Sequence, residues 1–120
     1  MKGNGNSDSV FSRRLRSARK AVGISQMELG VRAGIDESSA SARVNQYERG
    51  KHAPFYQIAC NLARALDIPT AYLYCEDDSL AQLIFFYAGM TEMQKQTLLC
   101  QANELYSKER SGVVRQINMA

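Results

Sequence analysis

The stretch GISQMELGVRAGIDESSASARVNQYERGK, residues 23–51, decides the fold. Ser25 followed by Glu28 has the spacing of a capping box, which opens a helix over residues 26–33. Gly34 then supplies a residue that adopts the left-handed conformation at little cost, so it ends that helix. Asp36 is an N-cap for a third helix over residues 37–49, and Gly50 ends it. In that helix Ala40, Val44 and Tyr47 recur at helical spacing and form an inner stripe. Ser38, Ala42, Asn45, Gln46 and Arg49 point the other way, with Ser41 on the flank. A helix entering a duplex major groove must be apolar toward its own protein and slim and polar toward the bases. Three serines and an asparagine are poor helix formers, so helix stability alone does not account for them.

The groove-facing side chains have matching chemistry. Asn45 and Gln46 can each make paired hydrogen bonds to an adenine edge. Arg43 can reach a guanine edge or a phosphate, and the Ala42 methyl can touch a thymine methyl. Gln26 opens the second helix, where free backbone N–H groups favour an anion. Arg49, Lys51 and His52 follow the third helix and are candidates for gripping phosphates.

Outward from this stretch, Phe11, Leu15, Ala18 and Val22 form one face of a first helix over residues 9–22. Arg13, Arg14, Arg16 and Lys20 lie off that stripe, and Gly23 stops the helix. A fourth helix follows Pro54, with Ile58, Leu62, Ala65 and Leu66 inward and Ala59 beside them. Residues 70–74 suggest a short fifth helix, with Tyr72 or Leu73 closing the core. Residues 75–79, with three consecutive acids, read as a linker. Beyond it, Leu80, Leu83, Ile84 and Tyr87 make one apolar stripe. After a second capping box at Thr91 and Gln94, Leu98, Ala102, Leu105 and Tyr106 make another. No strand alternation or internal repeat is seen, so the reading is all-α. The expected organisation is a loose tail at 1–9, a helix-turn-helix domain at 10–76, a C-terminal helical extension at 79–110 and a tail at 111–120.

Charge follows the same division. Residues 1–54 carry ten Lys/Arg against five Asp/Glu, residues 55–78 one against four, and residues 79–120 four against three. A basic half coinciding with the third helix suits a polyanion, because each neutralised phosphate releases condensed counterions. Cys60, Cys75 and Cys100 are odd in number and widely spaced, and His52 is the single histidine. That excludes a zinc-ligand pattern and a disulfide framework, so no metal or cofactor is expected and the thiols read as reduced in a cytoplasmic protein. No phosphate loop, acidic metal cluster or Cys/His dyad appears. The chain reads as a binding protein and not an enzyme.

Together these residues resemble the lambda-repressor and Cro-like, or XRE, helix-turn-helix family. The matching positions are Arg13, Arg14, Leu15 and Arg19, then Gly23-Ile24-Ser25-Gln26, Leu29 and Ala33-Gly34-Ile35. They continue with Val44, Tyr47-Glu48-Arg49-Gly50-Lys51, Pro54, residues 62–66, Tyr72 and Leu73. The resemblance spans about residues 10–76. It implies a five-helix domain that binds operator DNA as a homodimer, usually to repress transcription. By the same resemblance Gln26 contacts phosphate, Ser41, Ala42, Arg43 and Gln46 contact bases, and Arg19 pairs with Glu48 in an internal salt bridge.

Two departures stand out. The family usually has Ala where Gly30 sits. The spacing from Gly34 to Glu48 is about four residues longer than is common, close to one helical turn. Either the third helix gains an N-terminal turn over residues 37–40, or the turn before it is enlarged.

The C-terminal stripes cannot both be buried within one helix pair. Leu83, Ile84, Phe85, Phe86, Tyr87, Leu98 and Leu105 are therefore expected to contribute to a dimer interface. The competing expectation packs them on the first and fifth helices of the same chain. An alternative function is an antitoxin-type interaction module, in which these helices hold a partner protein and DNA binding is autoregulatory. A small-ligand or redox sensor is a third reading, with Cys75 or Cys100 as trigger.

Overall fold

The computed structural model describes residues 9–109. The tails expected at 1–9 and 111–120 lie almost wholly outside that range. Among the described residues the chain is all-α: α1 (Val10–Val22), α2 (Gln26–Arg32), α3 (Glu37–Glu48), α4 (Tyr56–Ala65), α5 (Thr70–Tyr74), α6 (Asp78–Ala88) and α7 (Glu92–Glu109). It divides into two compact units between Ala88 and Gly89, so α6 falls with the first five helices and α7 stands in the second unit.

The helix boundaries follow from local chemistry. Ser9 caps α1 by accepting from the Ser12 N–H at 3.1 Å, and Ser25 caps α2 by accepting from Glu28 N–H at 3.0 Å. The Glu28 carboxylate does not complete a reciprocal box. It accepts from Arg32 one turn on at 2.5 Å, on the exposed face of α2. Gly34, at φ 90°, turns the chain left-handed after α2. The N–H of Ile35 then reaches back to the Gly30 carbonyl at 2.9 Å, and Gly34 N–H to Val31 at 3.0 Å. This is a Schellman closure, and the Ile35 side chain that follows it is buried. Gly50 repeats the device after α3, with Lys51 N–H bonded to the Gln46 carbonyl at 3.0 Å.

Asp36 caps α3 through the Ser38 N–H, and the helix begins directly at Glu37. The extra length therefore sits in α3 and not in the turn. Its added turn brings Ala40, fully buried, against Gly30 of α2. A Cβ at position 30 would lie 2.6 Å from the Ala40 Cβ and 3.0 Å from its backbone. Glycine at 30 is thus what lets the lengthened helix pack. It gives up roughly 1 kcal/mol of helix propensity for a crossing that alanine would obstruct.

The core gathers Leu15, Leu29, Ile35, Ala40, Val44, Tyr47, Leu62, Leu66 and Leu73, with Phe11, Ala18, Ile58 and Tyr72 against it. Of the α5 candidates Leu73 is fully buried and Tyr72 partly so. Val22, the last residue of the α1 stripe, is half exposed, because the stripe runs past the edge of the core at the helix end.

Arg14 departs furthest from its reading as an off-stripe surface residue. It is 8% exposed. Its Nε donates to the Cys75 carbonyl at 2.8 Å, and its Nη2 to Asp78 Oδ1 at 3.0 Å, with the guanidinium 5.3 Å above the Tyr72 ring. It ties the segment between α5 and α6 to α1. Ala81 is buried, and α6 packs on α5.

In the second unit Thr91 and Gln94 exchange both capping bonds, at 3.0 and 3.1 Å. No described residue of α7 is buried, and Leu99, Leu105 and Met93 are exposed. No described helix is long and apolar enough to cross a membrane.

Candidate nucleic-acid interface

Along α3 burial alternates as a groove-reading helix requires. Ala40, Val44, Tyr47 and Glu48 are buried, Ser41, Ala42 and Arg43 are exposed, and Asn45 and Gln46 are half-buried. The open face therefore carries Ser41, the Ala42 methyl and the amides of Asn45 and Gln46, with Arg43 as its long cationic side chain. Ser38 faces solvent but is occupied: its hydroxyl, like its N–H, bonds the Asp36 carboxylate, so it serves the helix start. Arg43 is held over Tyr47, donating from Nη2 to the phenol oxygen at 3.0 Å.

Beneath this face lies a buried polar network. Glu48, 2% exposed, accepts from Arg19 Nε at 2.6 Å and Nη2 at 3.0 Å, and from Gln26 Nε2 at 3.0 Å. Donating to the Glu48 carboxylate holds the Arg19 pKa above its ordinary value, against the opposing pull of burial. The same Gln26 amide donates to Asn45 Oδ1 at 3.2 Å, and Arg19 Nη1 donates to the Ile24 carbonyl at 3.0 Å. One carboxylate, on the last residue of α3, thus ties the end of that helix to α1 and to the start of α2. The start of α2 and the open face of α3 are brought together at Gln26 and Asn45.

The C-terminal end of α3 has further anchors that the sequence reading did not single out. Ser12 Oγ donates to the Tyr47 carbonyl at 2.8 Å, and Arg16 Nη1 to the Glu48 carbonyl at 2.7 Å. These satisfy two of the carbonyls a helix end leaves open. Ser12, Arg16 and Arg19 lie at i, i+4 and i+7, so they form a polar stripe along α1 at helical spacing. That periodicity is present in the sequence, masked by the surrounding run of arginines.

Arg49 is the C-cap of α3, and Arg49, Lys51 and His52 are exposed. Arg49 and Lys51 make a cationic edge at the C-terminal end of the helix, with His52 beside them. The start of α2 meets the last turn of α3 through Gln26, next to this edge. Among the described residues no group of three His, Cys, Asp or Glu could hold a metal ion.

Two helices joined by a Schellman turn, the second slim, polar and anchored from below, define a helix-turn-helix DNA-binding domain. The pattern of the helix-turn-helix domain family matches residues 10–72, and the chain belongs to that family as an XRE-like helix-turn-helix regulator. Among solved structures it is similar to one described as "Crystal structure of transcriptional regulator BswR". The two share 43% identity at a TM-score of 0.76, over 81% of this chain and 96% of the other. No curated protein matches. The span shared with BswR exceeds the five-helix domain, so the likeness extends into the C-terminal helices.

Proposed function

We propose that this DNA-binding regulator acts as a homodimeric repressor on a near-palindromic operator, with α3 of each copy in adjacent major grooves. The observation that carries the reading is the open face of α3. Ser41, Ala42, Arg43, Asn45 and Gln46 are accessible, while a buried carboxylate fixes the backbone that presents them. Gln26, Arg49, Lys51 and His52 take phosphates on either side. The similarity to BswR, a transcriptional regulator, supports the same use of the fold.

Self-association is supported by the outer face of α6 and by α7. Leu80 and Leu83 are about half exposed, and α7 leaves Leu99 and Leu105 open. Exposed apolar side chains on each of these helices, taken separately, favour an interaction site. Two copies side by side would present two recognition helices about one helical turn apart. A dimer seated across a promoter excludes polymerase sterically, which is repression in its simplest form.

Selection of bound molecules from a pool of random duplexes at about 150 mM salt tests this. The expected result is a two-fold symmetric motif with half-sites about 10 base pairs apart. Weak binding with no motif, erased by salt, would overturn it. The search would then turn to a partner protein held by α7, as in an antitoxin.

A further inference from the structure

α6 carries two separate apolar faces. Leu80, Leu83, Ile84 and Tyr87 fall within one arc of the helix, whereas Gln82, Phe85 and Phe86 fall on another. The second arc faces a groove of about 880 Å³ between α1, the turn after α4, and α6. That volume lies in the range of small-molecule sites, about 300–1,000 Å³. Ser17, Ala18 and Ala21 line its α1 side, and such short side chains leave room for a ligand.

The charge in the groove selects the ligand. Its charged lining residues are Arg14, Asp67 and Asp78, a net of −1. Arg14 is already committed to Asp78 at 3.0 Å and to backbone carbonyls, and it covers Tyr72. Asp67 has no ion pair among the described residues and stands at the groove in a left-handed turn, φ 58°. Phe85 and Phe86 meet edge to face, centroids 6.3 Å apart at 63°, and make two sides of an aromatic corner. Ring faces and an uncompensated carboxylate attract a cation that is itself apolar. An apolar anion would meet the uncompensated Asp67, because Asp78 is paired with Arg14 at 3.0 Å and lies 3.9 Å from Arg13, which leaves Arg14 no free charge to answer it.

We propose that the groove between α1 and α6 is a binding site for small lipophilic organic cations, held by Phe85, Phe86 and Asp67. The full chain is titrated calorimetrically, free of DNA, with tetraphenylphosphonium and with tetraphenylborate, two ions of the same shape and opposite charge. The protein carries a net charge of +3, so non-specific adsorption favours the anion. The site predicts saturable binding of one phosphonium per chain, at least about tenfold tighter than the borate. Phe86 is half exposed, so Phe86→Ala leaves the core intact. It should weaken the phosphonium about five- to thirtyfold. Asp67→Asn, which keeps a residue tolerant of positive φ, should narrow the gap between the two ions. No saturable heat, equal binding of both ions, or full phosphonium affinity in Phe86→Ala would overturn the proposal. So would a Phe86→Ala protein that changes only its oligomeric state by light scattering, because the groove would then be a seat for a second copy.

Discussion

Arg19→Ala removes two of the three hydrogen bonds made to the Glu48 carboxylate, and with them the cation 2.6 Å from a group that is 2% exposed. Gln26 remains as a neutral donor at 3.0 Å, which cannot balance a full buried charge. Breaking a buried pair from one side costs about 3–5 kcal/mol. In a domain of this size each kcal/mol moves the melting midpoint about 4–8 °C, so the variant should melt about 12–40 °C below wild type by far-UV circular dichroism at pH 7. Removing both charges together, as in Arg19→Met with Glu48→Leu, should recover most of that loss, since the penalty comes from the orphaned charge and not from the absent attraction. The double variant would still bind DNA poorly, because Gln26 loses the carboxylate that sets it beside Asn45. An Arg19→Ala protein melting within about 4 °C of wild type would refute the reasoning, for that is the effect of a solvated surface pair.

Three further outcomes follow from the packing and the charges. Gly30→Ala places a methyl 2.6 Å from the Ala40 Cβ and should destabilise by about 1–2 kcal/mol in urea unfolding despite the better helix former. Gly30→Ala with Ala40→Gly should recover part of it. Lys51→Ala should weaken binding to all duplexes about equally and reduce the steepness of its salt dependence by about one ion, measured by fluorescence anisotropy from 50 to 200 mM salt. A Leu80→Glu, Leu83→Glu double variant should shift a dimer to a monomer in light scattering while leaving the melting of the first unit nearly unchanged, because both side chains are already about half exposed.

The sequence and the structure agree where periodicity and caps carry the information. Ala40, Val44 and Tyr47 declare the inner face of α3 by spacing alone, and Asp36, Gly34 and Gly50 mark its start, its approach and its end. Whether the added turn belonged to α3 was undecidable from spacing. It is resolved by Asp36 bonding the Ser38 N–H and by Ala40 filling the space against Gly30. Arg14 was illegible for a different reason. Its burial depends on carbonyls of the segment after α5, more than sixty residues away, and no local pattern encodes that meeting. The C-terminal boundary was misleading in the same way. The acidic stretch at 76–78 looks like a linker, yet Asp78 and Ala81 are held by the first unit through Arg14 and α5. The run of apolar residues on α6 likewise read as one interface, and only the placement of α1 beside Phe85 and Phe86 separates it into two faces.

If the open face of α3 reads bases, Gln46→Ala is the variant that exposes it. Random-duplex selection is run on the wild type and the variant at the same salt. A half-buried Gln46 carries little of the core, so the variant should stay folded. One symmetric pair of positions in the motif should lose its base preference, a loss worth about 1–3 kcal/mol there, while the other positions and the half-site spacing persist. An unchanged motif, or a uniform loss of affinity with no change in preference, would contradict the placement of α3 in the groove.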